Sequence, residues 1–113
     1  DLTEMGLEPC AYSMTFNVTG NRLNGILNQR SQDTLTANNW NVVQYSALLM
    51  MFAQVSGLEP GELVHVISDM HIYDRHIDMV KTMLDREPLP APKVRLNPEV
   101  KNFYDFTVDD FIV

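Results

Sequence analysis

Apolar and polar residues alternate along two runs near the start of the chain, on either side of a short turn. The first run is "CAYSMTFNV" and the second is "RLNGILNQRS", with "TGN" between them. A period of two is typical of a strand with one apolar face, and a short Gly/Asn turn between two such runs predicts a β-hairpin. The apolar face of the first run carries Tyr12, Met14 and Phe16.

Two later segments repeat their apolar residues at helical spacing. In "WNVVQYSALLMMFAQVSG", Asn38 or Asn39 can cap the start of a helix and Gly57 can end it. Because apolar residues lie on nearly all sides of this helix, we expect it to be a buried central helix. The segment "DRHIDMVKTMLDRE" predicts a second, amphipathic helix, which the following proline stops.

The remaining segments predict a turn and several short strands. Pro60–Gly61 predicts a turn, "LVHVIS" a buried strand, and "KVRLN" and the end of "FYDFTVDDFIV" two further strands. The elements lack a regular strand–helix–strand rhythm. We therefore predict one domain over residues 1–113, of the α/β class and α+β type, with a twisted mixed β-sheet, a buried central helix and a second amphipathic helix.

Composition and charge limit the kinds of binding partner and cellular location that we expect for the chain. The formal net charge is −7, with 15 acidic and 8 basic residues, so the chain shows no general basic face for nucleic acid. The longest apolar stretch, "ALLMMFA", is too short to span a bilayer, and the first nine residues lack the basic and apolar regions of a signal peptide. A single cysteine cannot form an internal disulfide, which suits the reducing cytoplasm.

That single cysteine, Cys10, has two interpretations. Composition alone favours a buried inert thiol, because free cysteine is among the most buried residue types. The predicted hairpin favours another reading, since Cys10 begins the first strand and Arg30 ends the second, so both lie near the open end. A guanidinium there would stabilise a thiolate and could hold an anion.

Polar side chains cluster after that strand. Gln29, Arg30 and Ser31, with Asp33, form a compact set of donors and acceptors, or else a solvated strand end. Strict alternation sends Arg30 and Ser31 to opposite faces. If both contact one ligand, the strand must end or bulge there.

Other polar residues suggest recognition groups. Asn41, near the start of the buried helix, is either a satisfied buried amide or a donor–acceptor pair that matches the O4 and N3–H edge of uracil. His71 and Tyr73 face the same way in an extended stretch and can hold a hydroxyl. We expect His65 to pack in the apolar run and His76 to lie on a helix surface. No spacing matches a metal-binding motif.

Five motifs in order resemble the C-terminal, nucleophile-bearing half of the thymidylate synthase family. They are "EPC", "QRSQD", "WNVVQY", "DMHIYDRH" and "REPLPAPKVRLNPEVKNFYDF", which together cover nearly the whole chain. The resemblance implies conversion of dUMP to dTMP, with 5,10-methylenetetrahydrofolate as co-substrate and donor of carbon and hydride. It implies no metal.

The resemblance also implies a role for each site residue. Cys10 corresponds to the nucleophile that adds to C6 of the pyrimidine. Arg30 corresponds to the arginine that binds the phosphate beside the thiolate, and Asp33 to the carboxylate that meets the folate pterin and orders water near the base. Asn41 corresponds to the amide that reads uracil. The other matched substrate-binding positions are Gln29, Ser31 on the phosphate, and His71 and Tyr73 on the 3′-hydroxyl.

The chain departs from the family pattern at several positions. Ala11 stands where the family usually has His after the nucleophile, and Ala37, Asn39 and Trp40 replace a glycine, a proline and a phenylalanine of the family. The family's N-terminal half and C-terminal lid have no counterpart in residues 1–113. We therefore expect this chain to be a C-terminal catalytic portion that is inactive by itself.

The resemblance further implies a homodimer formed through a β-sheet face, which buries either the Tyr12, Met14 and Phe16 row of the hairpin or the opposite row. Two alternatives to the synthase remain open. One is a pyrimidine nucleotide hydroxymethylase of the same family, which prefers cytosine. The other is a non-catalytic module for nucleotide binding or dimerisation.

Overall fold

The computed structural model describes residues 2–113. Strands β1 (Ala11–Thr19) and β2 (Arg22–Asp33) pair as an antiparallel hairpin. Gly20 has a φ of +62°, at the first of the two residues that join Thr19 to its partner Arg22. A glycine with positive φ at this position is typical of a type II′ turn, whose twist suits a hairpin. The predicted hairpin is confirmed.

Strand β3 (Glu59–His71) pairs in parallel with β2, and the order β1-β2-β3 makes a mixed sheet. The predicted turn at Pro60–Gly61 is wrong, because both residues lie inside β3 and Pro60 pairs with Leu23. The register shifts just after that pair. Proline is tolerated here because it lies near the start of the strand, beside an irregularity.

Helix α1 (Asn38–Val55) connects β2 to β3 and packs on one face of the sheet. Leu49 and Ala53 of the helix form the buried core with Leu23. Gly25 leaves room for the Met14 side chain of β1, because a Cβ there would lie 2.7 Å from the Met14 Cε. The core therefore lies between α1 and the helix-facing side of the hairpin.

The ends of α1 differ in how far they match the predictions. Gly57, with a φ of +68°, follows the helix and ends it as predicted. The capping prediction is wrong, because Asn38 and Asn39 lie inside the helix and Ala37 is the N-cap, without a side-chain hydrogen bond. The helix is not buried on all sides as predicted, because Trp40 is 78% exposed and Val43 is 65% exposed.

The second half of the chain adds shorter elements. Helix α2 (Ile77–Leu84) confirms the predicted second helix, and strands β4 (Arg95–Leu96) and β5 (Phe111–Ile112) pair as a separate antiparallel ladder. The Gln54 side chain of α1 donates to the Asn97 carbonyl at 2.9 Å, which ties this part to the core. Single 3-10 turns cover Leu2–Glu4, Asp74–His76, Phe103–Asp105 and Val108–Asp110.

Across residues 2–113, no helix combines the length and the apolar character needed to cross a membrane.

The core contact predicts the effect of a truncation in α1. Leu49→Ala should lower the free energy of unfolding by about 2–4 kcal/mol, because it removes buried methyl groups and leaves a cavity. Urea unfolding of the chain measures this. The matched control is Leu84→Ala in α2, where the side chain is mostly exposed and the expected loss is below about 0.5 kcal/mol. Equal losses in the two variants would show that Leu49 is not a core residue.

Candidate active site

Cys10 lies immediately before β1 and is exposed. The backbone N–H of Arg30 donates to the Cys10 carbonyl at 2.7 Å, which extends the hairpin pairing by one residue. The Arg30 Nη2 atom lies 3.9 Å from the Cys10 Sγ and donates to the Glu8 carbonyl at 2.9 Å. The thiol is therefore accessible and next to a cation, and the interpretation of Cys10 as a buried residue is wrong.

An open cavity of about 550 Å³ lies beside this pair. Its lining includes Arg30 and Tyr12 from the hairpin and Ser68 from β3. Tyr12 occupies a bulge, because the β1–β2 register shifts between Ala11 and Ser13. This bulge turns Tyr12 outwards at the cavity, where an anionic or aromatic ligand could meet Arg30. The cavity lining is completed by Glu8 and Pro9.

Strand β2 does not end at Arg30. Its register with β3 is regular from Gln29 to Asp33, so the bulge that the sequence allowed at Arg30–Ser31 lies in β1 instead. The alternation of buried and less buried residues along β2 nevertheless breaks here. Gln29 and Gln32 are each 1% exposed, although residues three apart in a regular strand face opposite sides. Their side-chain amides are hydrogen-bonded to each other.

The buried Gln29 amide joins three elements. Its Nε2 donates to the Ser31 carbonyl at 2.8 Å and to the Asn41 Oδ1 at 3.2 Å, which brings the first turn of α1 to the strand end. Its Oε1 lies 2.9 Å from the His65 Nε2 on β3. Gln29 and Asn41, two of the sequence-predicted site residues, thus contact each other, and His65 is a polar partner rather than the apolar packing residue that we expected.

Nothing in the local sequence around His65 signalled this role. Leu63, His65 and Ile67 alternate towards the helix side of β3, as apolar residues would. Only the parallel register with β2, which pairs Leu27 with His65, brings the ring to Gln29. Desolvation lowers the pKa of His65 below its usual value, so burial favours the neutral ring.

Asp33 closes the turn between β2 and α1. Its carboxylate accepts hydrogen bonds from the Thr36 hydroxyl at 2.6 Å and from the backbone N–H groups of Leu35 and Thr36 at 3.2 and 3.3 Å. The Thr36 hydroxyl first, and then these N–H groups, hold the pKa of the Asp33 carboxyl below its usual value, and desolvation opposes them. Asp33 also pairs in register with His71.

His71 and Tyr73 lie together at the end of β3, as the sequence predicted. Their rings meet edge to face with centroids 5.1 Å apart, and the Arg75 guanidinium lies 4.7 Å above the Tyr73 ring. The His71 Nδ1 is 3.4 Å from the Asp69 Oδ2, which is within ion-pair distance. The direction does not suit a hydrogen bond, and this buried atom has no hydrogen-bond partner in residues 2–113.

The prediction that His76 lies on a helix surface is wrong. It is only 8% exposed, because it packs edge to face against Tyr73 and its Nε2 accepts a hydrogen bond from the Arg75 Nε at 3.2 Å.

The Ala37 backbone has an ordinary φ of −121°. Alanine is therefore accommodated without backbone strain at a position where the family has glycine.

In the part of the chain that the structure describes, no cluster of three or more His, Cys, Asp or Glu side chains could hold a metal ion.

The chain matches known proteins over its whole length. A family model described as "Thymidylate synthase" matches residues 1–113. A thymidylate synthase of Bacillus mojavensis is 47% identical over 111 residues, which are 98% of this chain and 40% of that protein. A thymidylate synthase of Bacillus atrophaeus is 46% identical over 98% of this chain and 49% of its own length.

The comparison of folds agrees with the comparison of sequences. The structure of thermostable thymidylate synthase A from Bacillus subtilis superposes with a TM-score of 0.93 and 46% identity, over 98% of this chain and 40% of that one. The predicted α+β architecture is thereby confirmed. The chain spans about 40% to half of the length of these relatives. On the sequence match and the fold together, the chain belongs to the thymidylate synthase family.

Proposed function

We propose that residues 1–113 are the C-terminal, nucleophile-bearing portion of an enzyme that converts dUMP to dTMP. The observation that carries this proposal is the exposed Cys10 thiol, 3.9 Å from the Arg30 guanidinium at an open cavity, in a chain of the thymidylate synthase family. A cysteine side chain beside a cation is an arrangement that favours covalent catalysis by cysteine.

The Cys10 sulfur forms a bond to C6 of the pyrimidine, and the electrons of the C5–C6 double bond move onto C5 and O4. C5 then bonds the methylene carbon of the folate and loses its hydrogen as a proton, and the bond from that carbon to the folate nitrogen breaks. The folate transfers a hydride to the same carbon and is oxidised to dihydrofolate. As the hydride arrives, the bond from sulfur to C6 breaks and the C5–C6 double bond is restored. Arg30 stabilises the anionic sulfur before attack and after release, and its remaining N–H groups can hold the nucleotide phosphate.

Base and sugar are recognised at the ends of the parallel strands. Asn41 offers one amide donor and one acceptor to uracil, and His71 with Tyr73 offers polar atoms to the 3′-hydroxyl. The register supports a shared site, because β2 and β3 run in parallel and Asp33 pairs with His71. The buried, unpartnered His71 Nδ1 also suits a residue that awaits a ligand group. Gln29 and Ser31 are the other substrate-binding residues, with Ser31 on the phosphate.

The co-substrate we propose is 5,10-methylenetetrahydrofolate, which supplies the one-carbon unit and the hydride. Asp33 is the residue of this chain that fits its pterin. An ionised carboxylate offers about four acceptor positions, and the hydrogen bonds from Leu35 and Thr36 occupy three of them. The lowered pKa keeps Asp33 ionised, and the free position can accept a pterin N–H.

We also propose a cytoplasmic homodimer that pairs through the sheet face opposite α1. The ring centroids of Phe16 and Phe52 of α1 are 5.2 Å apart, and Met14 lies near Leu49. This row of the hairpin therefore faces the helix. The opposite side carries exposed apolar residues on β3, with Val64 and Val66 each 47% exposed. A second copy would cover these side chains.

Replacing the nucleophile tests the chemistry. In the protein that carries residues 1–113, Cys10→Ser should lower the rate of tritium release from 5-tritiated dUMP on the order of 10⁴-fold or more, because a hydroxyl is a much weaker nucleophile than a thiolate. The affinity for dUMP should be nearly unchanged, because Arg30 remains in place. A variant that keeps turnover close to the unsubstituted protein would exclude Cys10 as the nucleophile.

A substitution at Asn41, the proposed base-reading amide, tests whether the protein acts on dUMP, as a synthase would, or on dCMP, as the hydroxymethylase would. Cytosine presents an N4 donor and an N3 acceptor, which suit a carboxylic group better than a fixed amide. Asn41→Asp should therefore shift the ratio of kcat/KM for dUMP to that for dCMP towards dCMP by about 5- to 150-fold. Steady-state kinetics with both nucleotides measures the ratio. A preference for dCMP in the unsubstituted protein would favour the hydroxymethylase.

A further inference from the structure

Arg75 lies beside the residues proposed to hold the sugar, on the turn that follows β3. The chain reverses there, because the backbone N–H of His76 donates to the Tyr73 carbonyl at 2.8 Å. This single 3-10 turn brings the side chains of Arg75 and His76 back onto the Tyr73 ring. The Arg75 guanidinium lies 4.7 Å from the centroid of that ring, over its face.

A buried partner fixes the position of the guanidinium. The Arg75 Nε donates to the His76 Nε2 at 3.2 Å, and His76 is only 8% exposed. Because an arginine nitrogen can only donate, the His76 Nε2 must be the acceptor, and the imidazole carries its hydrogen on Nδ1. The acceptor belongs to a ring that is packed in place, so the Arg75 side chain gives up the rotamer freedom of an ordinary exposed arginine.

The Tyr73 ring is restrained by contacts with three neighbours. Tyr73 is 45% exposed and lies two residues beyond the end of β3, so the sheet does not enclose its side chain. The rings of His71 and His76 meet it edge to face, with centroids 5.1 and 5.7 Å away. Arg75 adds a cation over the electron-rich face of the ring, which is an attractive arrangement.

We propose that Arg75 is a positioning residue that holds the Tyr73 hydroxyl in place for the 3′-hydroxyl of the nucleotide. The hydroxyl is fixed to the ring, so a contact on the face of the ring also restrains the position of the hydroxyl. A hydrogen bond weakens steeply when its distance and angle are lost, so a ring that moves freely would bind the sugar less well. Arg75 thereby raises the preference for a nucleotide that carries a 3′-hydroxyl. This inference rests on the function proposed above.

Two nucleotides that differ only at the sugar isolate this effect. dUMP carries the 3′-hydroxyl, and 2′,3′-dideoxyuridine 5′-monophosphate lacks it. Isothermal titration of the protein that carries residues 1–113 with each nucleotide gives the ratio of the two dissociation constants. Arg75→Leu removes the cation, and Arg75→Lys keeps a cation that can lie over the ring. The matched control is Arg86→Leu, which removes the same charge from an exposed position two residues beyond α2.

We expect Arg75→Leu to reduce the preference for dUMP over the dideoxy nucleotide by about two- to fivefold, the effect of one exposed cation–π contact. The affinity for the dideoxy nucleotide should stay unchanged in this variant. Arg75→Lys should restore most of the preference, and Arg86→Leu should leave it as it is. An unchanged ratio in Arg75→Leu, or the same loss in Arg86→Leu, overturns the positioning role while dUMP binding itself still supports the proposed function. An unsubstituted protein that binds neither nucleotide overturns both.

A second measurement needs no substitution. The hydrogen bond to His76 should slow the exchange of the Arg75 Nε–H with water, and NMR of the unsubstituted protein measures this exchange rate. The exposed Arg86 provides the reference rate in the same sample. Slower exchange at Arg75 supports the fixed guanidinium. Equal rates at the two arginines would show that the guanidinium is free, and would overturn the inference even if the Arg75→Leu variant fails to fold.

Discussion

The site depends on the contact that closes the open end of the hairpin. The Arg30 backbone N–H donates a hydrogen bond to the Cys10 carbonyl at 2.7 Å. The Arg30 side chain donates to the Glu8 carbonyl and lies beside the Cys10 sulfur. One residue therefore fixes the approach of the N-terminal segment to the sheet and places a positive charge at the thiol. In a chain with a net charge of −7, this local cation would favour the binding of an anionic ligand.

Behind that contact, the end of the sheet is built from amides where an apolar core would be more usual. Gln29 and Gln32 are each 1% exposed, and a buried amide is destabilising unless every hydrogen bond is made. The partners come from three elements, since Ser31 lies on β2, Asn41 on α1 and His65 on β3. Such a network specifies one arrangement of groups more strictly than apolar packing does, which suits recognition of a polar base.

Local patterns in the sequence predicted the hairpin, both helices and the Cys10–Arg30 proximity, because these depend on neighbours in the chain or on a short turn. The predictions that were wrong depend on partners far away in sequence. Pro60–Gly61 is extended because β2 pairs with it, and His76 is buried by the Tyr73 ring. The link from His65 to Gln29 needs the parallel register of β2 and β3, which no short window of sequence contains.

The rate at which iodoacetamide alkylates Cys10 tests the central claim, that Arg30 activates this thiol. Arg30→Gln should slow alkylation at neutral pH by about two- to fivefold, the effect of losing one exposed charge next to a thiolate. Arg22→Gln is the matched control, because Arg22 begins β2 at the opposite end of the hairpin and should have no effect. Equal alkylation rates in the unsubstituted protein and in Arg30→Gln would contradict the account.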